Sequence, residues 1–332
     1  MTARPGPRND ITDIEGLSVG QAEDAGVRTG VTALVCAEPV RAAIDVRGGG
    51  PATRESDVMN PGGLVETVDA VVLSGGSVYG LAAADGVCAG LGAEGRGFGL
   101  FPQPGVPNSP IVPSACLYDL ANGGDKAWGE TPPYRALGMD AYRQAGAGGP
   151  VRLGRAGAGL GAMAGTLPGA TGSASIVTED GYTVAALVCV NSFGSVTLPN
   201  QDVYWAWPYE IDGEFGGARP DTSTGFDPED FGAAKFNPSP RQQTTLAIIA
   251  TDAELTRDQT RRLAVMAQDG MARAIRPCHT PFDGDVVFAL STGRSALNPP
   301  GALTTIRLGS LAADCLARAI ARGVHAARSQ PG

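Results

Sequence analysis

Short apolar runs separated by turn-forming residues fill most of this chain, and toward the C-terminus their period lengthens from two to nearly four. Gly30–Cys36 and Arg41–Arg47 read as strands, and Val68–Leu73 has the uninterrupted apolar pattern of a strand buried on both faces. An Ala-rich helix is expected after Ser74-Gly75-Gly76-Ser77, reaching about Ala89. Pro110–Leu120 is a further apolar segment, and a helix is expected near Tyr134–Gln144. Ser173–Val177 and Tyr182–Val190 flank Glu179-Asp180-Gly181, which predicts a hairpin whose second strand ends at Asn191.

The last third is strand, helix, strand, helix. Thr245–Thr251 is β-branched and apolar, and Thr256-Arg257-Asp258-Gln259 has the spacing of a capping box. The helix that follows, to about Ile275, carries Leu263, Met266, Ala267, Met271 and Ala274 on one face. Val286–Leu290 is a buried strand, and a final helix runs from about Ala302 to Ala327. Between the hairpin and Thr244 lies a stretch, 200–241, dominated by Gly, Pro and Asp, with Trp205 and Trp207 inside it. Irregular segments of that length are uncommon in compact proteins and tend to serve function.

Composition narrows the function classes. The 332 residues are 43% hydrophobic and 18% charged, enough for a substantial core. A net charge of −9 with no Lys/Arg cluster argues against nucleic acid or an anionic membrane as partner. The six cysteines are scattered singly, without the short spacing of a zinc or redox motif, so buried free thiols are expected. The first ten residues lack the apolar core of an export signal, and no apolar run is long enough to span a bilayer; a cytoplasmic location is expected. The Gly-rich passage Gly154–Thr166 is neither a dinucleotide fingerprint nor a P-loop and is expected to pack closely against another layer. Ser77 sits at a strand-to-helix turn, but Tyr79 occupies the position where a nucleophile elbow needs glycine.

The chemistry concentrates near Gln243-Thr244-Thr245. If the bond before Thr244 breaks, that residue gains a free α-amine beside its own hydroxyl, and such an amine titrates near pH ~8. Nucleophile and base then reside on one residue. Asp283 and Asp285 flank a glycine at a strand entrance, where an i, i+2 pair on a strand would face one way; an Asx-type turn is the alternative reading. Tyr118 is read either as a core phenol or as a site residue.

Gln243-Thr244-Thr245 and the motif His279-Thr280-Pro281-Phe282-Asp283-Gly284-Asp285 together resemble the P1 peptidase family, peptidase family S58. Asn9–Gly20, Asp45–Gly49, Leu73–Ser77 and Arg273–Pro277 extend the likeness over nearly the whole chain. The family includes L-aminopeptidase/D-Ala-esterase/amidases, β-peptidyl aminopeptidases and nylon-oligomer hydrolases. The resemblance implies a four-layer α/β/β/α sandwich like that of N-terminal-nucleophile hydrolases, with different connectivity. It implies one domain, 1–332, cut between Gln243 and Thr244 into chains 1–243 and 244–332, and a homo-oligomer, a tetramer. It implies Thr244 as nucleophile, Asn191 as oxyanion donor, Asp283 and Asp285 as the carboxylate pair, and Tyr118 as a substrate contact. No metal or organic cofactor is implied. The expected substrate is a short peptide, an amino-acid amide or an ω-amino-acid oligomer.

Two residues depart from the family pattern: Gln243 stands where Asn or Gly is usual, and Pro168 where relatives carry a lysine. They motivate the alternative of an uncleaved, silent member acting as a binding or scaffold protein.

Overall fold

The computed structural model describes residues 3–101, 103–221, 223, 225, 227–235 and 243–330. Arg241 and Gln242, on the approach to Thr244, lie outside the described residues. In chain order the elements are β1 (Leu17–Asp24), β2 (Thr29–Val46), β3 (Thr53–Arg54), β4 (Thr67–Ser74) and α1 (Ala83–Ala93). Then come β5 (Ser114–Cys116), α2 (Tyr134–Ala147), β6 (Met163–Ala164), β7 (Leu167–Pro168), β8 (Ala170–Val177) and β9 (Thr183–Asn191). Past the irregular stretch follow β10 (Thr244–Ala253), α3 (Arg257–Ala274), β11 (Val286–Ser295) and α4 (Gly301–Arg328).

The main strand order is β3-β5-β4-β2-β11-β10-β9-β8, with β1 also on β2. β2 is the hinge of this arrangement. Its first half lies between β1 (Leu34 opposite Val19) and β4 (Val31 opposite Ser74). Its second half pairs with β11, Ile44 opposite Phe288. Two expected strands are therefore one strand of 18 residues. Ala37, Glu38 and Pro39 are exposed between the halves, where the register with β4 shifts. Pro39 has no N–H to give a ladder and is accommodated at that irregularity. The apolar segment Pro110–Leu120 is mostly buried but contributes only the three-residue β5.

Strand alternation separates three apolar clusters. Val35 and Val72 face Val87, Leu91 and Ala141 of α1 and α2. On the opposite faces, Leu34, Val71 and Leu73 meet Leu187, Leu246, Ile248 and Phe288, so the two leaves pack on each other. Val188, Ile249 and Val287 point the other way, onto Leu263 and Met271 of α3 and Leu316 and Ile320 of α4. Helices, leaf, leaf, helices: the four-layer α/β/β/α sandwich follows from that alternation. Each such large apolar side chain contributes roughly 1.5–3 kcal/mol by its burial.

The predicted capping box starts α3: the Gln259 N–H donates to Thr256 Oγ1 at 3.2 Å, and the Thr256 N–H to Gln259 Oε1 at 2.8 Å. The Gly-rich passage packs as expected, since a Cβ on Gly159 would lie 2.1 Å from the Thr171 nitrogen. All six cysteines are free, and four of them are buried. Among the described residues no helix is long and apolar enough to cross a membrane.

Candidate active site

Thr244 opens β10 directly opposite Asn191, the last residue of β9. One residue earlier the chain changes partners: Gln243 bridges to Asp283 in parallel, just before β11 begins. Three segments thus meet at the sheet end, and Gln243, Thr244, Asn191, Asp283 and Asp285 are all buried there.

The Gln243–Thr244 peptide is held from the segment Phe282–Gly284. The Gln243 N–H donates to the Phe282 carbonyl at 2.8 Å. The Gln243 carbonyl accepts from the Gly284 N–H at 2.6 Å and from Thr244 Oγ1, also at 2.6 Å. Gly284 must lack a side chain here, because a Cβ would lie 2.6 Å from Thr244 Oγ1 and 2.7 Å from the Gly50 carbonyl oxygen. The hydroxyl therefore lies beside the carbonyl that precedes it, and a backbone donor already polarises that carbonyl.

The two aspartates converge as expected, but from the turn before β11 rather than from the strand itself. Asp285 Oδ1 accepts from the Thr245 N–H at 2.8 Å, and its Oδ2 accepts from the backbone N–H of His279 at 3.0 Å. His279 Nδ1 lies 2.8 Å from the same oxygen. Asp283 Oδ2 accepts from the Thr280 N–H and Oγ1 at 2.9 and 2.6 Å, and its Oδ1 from the Phe193 N–H at 3.2 Å. Burial, and then the nearby Asp285 charge, push the Asp283 carboxyl above the usual carboxylate range. For His279, burial opposes the charged ring, but the hydrogen bond to Asp285 and the neighbouring Cys278 outweigh it and carry the pKa up to about 10.

Asn191 is oriented by three contacts. Its Oδ1 accepts from the Met163 N–H at 2.9 Å and from Asn122 Nδ2 at 3.4 Å. Its Nδ2 donates to the Tyr118 carbonyl at 2.9 Å, leaving a second N–H on that nitrogen. Tyr118 is half-buried and enters the site through its main chain. The structure thus brings Thr244, Asn191, Asp283, Asp285 and Tyr118 to one place.

Three contributors were missed in the sequence. His279 was visible only as part of the motif around the aspartates. Gly284 shows in the sequence only as the glycine between the two aspartates. Lys235 comes from the irregular stretch: its Nζ donates to the Gln243 Oε1 and, at 2.7 Å, to the Met163 carbonyl. Met163 is the register partner of Pro168 across the β6–β7 ribbon. The Lys235 ammonium thus reaches the strand that pairs with Pro168, from another segment. Arg276 anchors the same stretch, its guanidinium 5.5 Å from the Trp205 ring centre and 2.8 Å from the Pro228 carbonyl.

Residues 9–332 match the sequence profile of Peptidase family S58. An uncharacterized aminopeptidase of Mycobacterium leprae is 41% identical over 100% of this chain and 94% of its own length. A 6-aminohexanoate-oligomer endohydrolase of Kocuria is 27% identical, covering 92% of this chain and 82% of that relative. Among solved structures, a Burkholderia β-aminopeptidase superposes with a TM-score of 0.71 at 24% identity, over 97% of this chain and 88% of that one. The L-aminopeptidase D-Ala-esterase/amidase of Ochrobactrum anthropi, described as a new variant among the Ntn hydrolase fold, gives 0.67 at 21% identity, over 98% and 88%. The profile match across nearly the whole length, together with these relatives, makes the chain a member of peptidase family S58, a hydrolase acting on amide bonds.

Proposed function

We propose that this chain is a self-cleaving amidohydrolase whose nucleophile is Thr244. The observation that carries the reading is the Gln243 carbonyl, placed between Thr244 Oγ1 and the Gly284 N–H at 2.6 Å each. In the first reaction Thr244 Oγ attacks the Gln243 carbonyl carbon, and the C–N bond to Thr244 breaks. The Thr244 nitrogen takes up the proton and becomes an amine, leaving an ester between Gln243 and Oγ. Water hydrolyses that ester, giving a Gln243 carboxylate and a free Thr244 hydroxyl. Asp283, with its raised affinity for a proton, is suited to pass it between oxygen and nitrogen.

The two chains remain one body. The strands of chain 244–332, β10 and β11, lie in the middle of the sheet with β9 on one side and β2 on the other. In turnover the freed α-amine deprotonates Oγ, which attacks a substrate carbonyl. The N–H of Asn191 Nδ2 that is not committed to Tyr118 stabilises the oxyanion, a contribution of roughly 3 kcal/mol. Amine product leaves, and water releases the acyl group. Tyr118 flanks the substrate.

Short substrates bearing a free amine fit a protein of net charge −9 whose site pairs two carboxylates. The relatives named aminopeptidase and 6-aminohexanoate-oligomer endohydrolase support amino-acid amides, short peptides and ω-amino-acid oligomers as the class. A cytoplasmic homo-oligomer, a tetramer, completes the proposal. The test is hydrolysis of amino-acid amides and 6-aminohexanoate oligomers by wild type beside Thr244→Ala. Turnover by wild type alone supports the reading, and turnover surviving in the variant overturns it.

A second reading has one observation in its favour. The contacts from Phe282 and Gly284 equally stabilise an uncut Gln243–Thr244 peptide, as a silent scaffold would need. A wild-type chain that stays whole and inactive would select it.

A further inference from the structure

Two acceptors of the Lys235 ammonium among the described residues lead into the candidate site. One is the side-chain oxygen of Gln243, the residue whose carbonyl would be attacked. The other is the carbonyl of Met163, at 2.7 Å. Met163 in turn donates its N–H to Asn191 Oδ1 at 2.9 Å, so a single peptide residue connects the cation to the asparagine that faces Thr244. The backbone is tied in as well: the Lys235 N–H donates to the Phe193 carbonyl at 2.9 Å, and the Phe193 N–H donates to Asp283 at 3.2 Å. Lys235 therefore touches, directly or through one residue, three of the groups the proposed self-cleavage needs.

Position adds a second argument. A glutamine side chain before the scissile bond has several rotamers, and only one of them packs its amide against the neighbouring segment and so steadies the backbone next to Thr244. An ammonium donating to Gln243 Oε1 selects one of them. A lysine Nζ has three donors and no acceptor, so it can hold the amide oxygen and a main-chain carbonyl together without competing for the Gln243 main-chain oxygen. That oxygen stays with Gly284 and Thr244.

We infer that Lys235 is a positioning residue for cleavage of the Gln243–Thr244 bond, acting through the Gln243 side chain, with its bond to the Met163 carbonyl holding the ammonium in place. The inference rests on the self-cleavage reading and deepens it. The irregular stretch 200–235 then serves the site as the carrier of its cation. The Lys235 ammonium acts on the Gln243 side-chain oxygen and the Met163 carbonyl rather than on the reacting atoms. Its effect is geometric and electrostatic, so it must depend on the presence of the Gln243 side chain.

A double-mutant cycle on the full-length chain tests this. Conversion of freshly purified protein to the two chains is followed by intact mass for wild type, Lys235→Met, Gln243→Ala and the double variant, with melting temperatures alongside. Misplacement of a reacting group by about an ångström costs up to roughly 100-fold, so Lys235→Met should slow cleavage by at least about tenfold. In the Gln243→Ala background the same substitution should change the rate less than about threefold, the signature of two residues acting as a unit. Lys235→Arg should restore part of the rate. If Lys235→Met does not fold, Lys235→Gln takes its place in the cycle.

Equal slowing in both backgrounds would show a merely structural role and overturn the inference, as would an unchanged rate in Lys235→Met. A wild type that never cleaves would overturn both this inference and the self-cleavage reading. A wild type that cleaves, with variants that cleave alike, would overturn only the inference.

Discussion

His279 directs two nitrogens at a single oxygen of Asp285, its backbone N at 3.0 Å and its ring Nδ1 at 2.8 Å. The residue does so from a left-handed backbone with φ of 56°, a conformation costly for a non-glycine residue. The pair leaves the other Asp285 oxygen for the Thr245 N–H, next to the proposed nucleophile.

The pairing predicts a pH dependence. His279 is raised from its ordinary 6.5 to about 10, against burial, by Asp285 and Cys278. A raised basic group stabilises the folded state fully below its unfolded pKa and loses that contribution as pH rises through the folded one. Asp285 and Cys278, with Asp283 beside Asp285, are the ionisable groups that face it. The melting temperature of His279→Gln should therefore fall furthest below wild type near pH ~6 and approach it toward pH ~10. A gap independent of pH would refute the pairing.

Asp283 predicts a decline in the same direction as His279, the reverse of the usual one for a carboxyl. Its affinity for a proton is raised by burial and by Asp285, so wild type loses stability as pH rises from the usual carboxylate range through the raised value. Asp283→Asn should lack that decline in melting temperature across the acid range. The same variant should lose about 100-fold or more in amide turnover, since it removes a proton-transfer group. Full turnover in a folded Asp283→Asn would remove Asp283 from the mechanism.

Gly284→Ala keeps the N–H that polarises the Gln243 carbonyl but adds a Cβ where Thr244 Oγ1 lies at 2.6 Å. Crowding of that kind costs about 1–3 kcal/mol of stability. The larger effect should be on rate: a displaced Oγ1 slows chain cleavage by roughly 100-fold. Time-resolved intact mass reads the rate, and a urea titration reads the stability.

Cohesion of the two proposed chains should depend on Arg318. This buried arginine of α4 pairs with Glu214 at 2.5 Å and donates to Asn9 Oδ1 and the Ser175 carbonyl at 3.0 Å each. Glu214 lies in the irregular stretch, and Arg322 also reaches it, at 3.2 Å. Arg318→Met leaves a buried carboxylate short of a partner, a loss of about 3–5 kcal/mol in urea unfolding. A cost below about 1 kcal/mol would mean that Arg322 alone satisfies Glu214.

The sequence made some of this legible because the cues were local. The Thr256–Gln259 capping box and the β-branched run after Thr244 each need only a few neighbouring residues, and both elements formed where expected. The continuous β2 did not show, because Glu38 and Pro39 look like a turn until the register shift against β4 is known. The four layers came from family likeness; strand alternation becomes informative only when it is clear which leaf each face meets. Thr244, Asn191, Asp283, Asp285 and Tyr118 could be named only through the likeness to the family. Lys235 could not, since its partners Gln243 and Met163 are set by a long irregular path that carries no periodic signal. His279 was overlooked for a different reason: a histidine six residues before an aspartate acquires meaning only when the turn folds it back onto that side chain.

Intact mass of purified wild type beside Thr244→Ala decides whether Thr244 cuts the chain. Wild type should give chains 1–243 and 244–332, co-eluting under native conditions, and the variant a single uncut chain. A wild type that stays whole on long incubation, or a variant that is cut at the same bond, would contradict self-cleavage by Thr244.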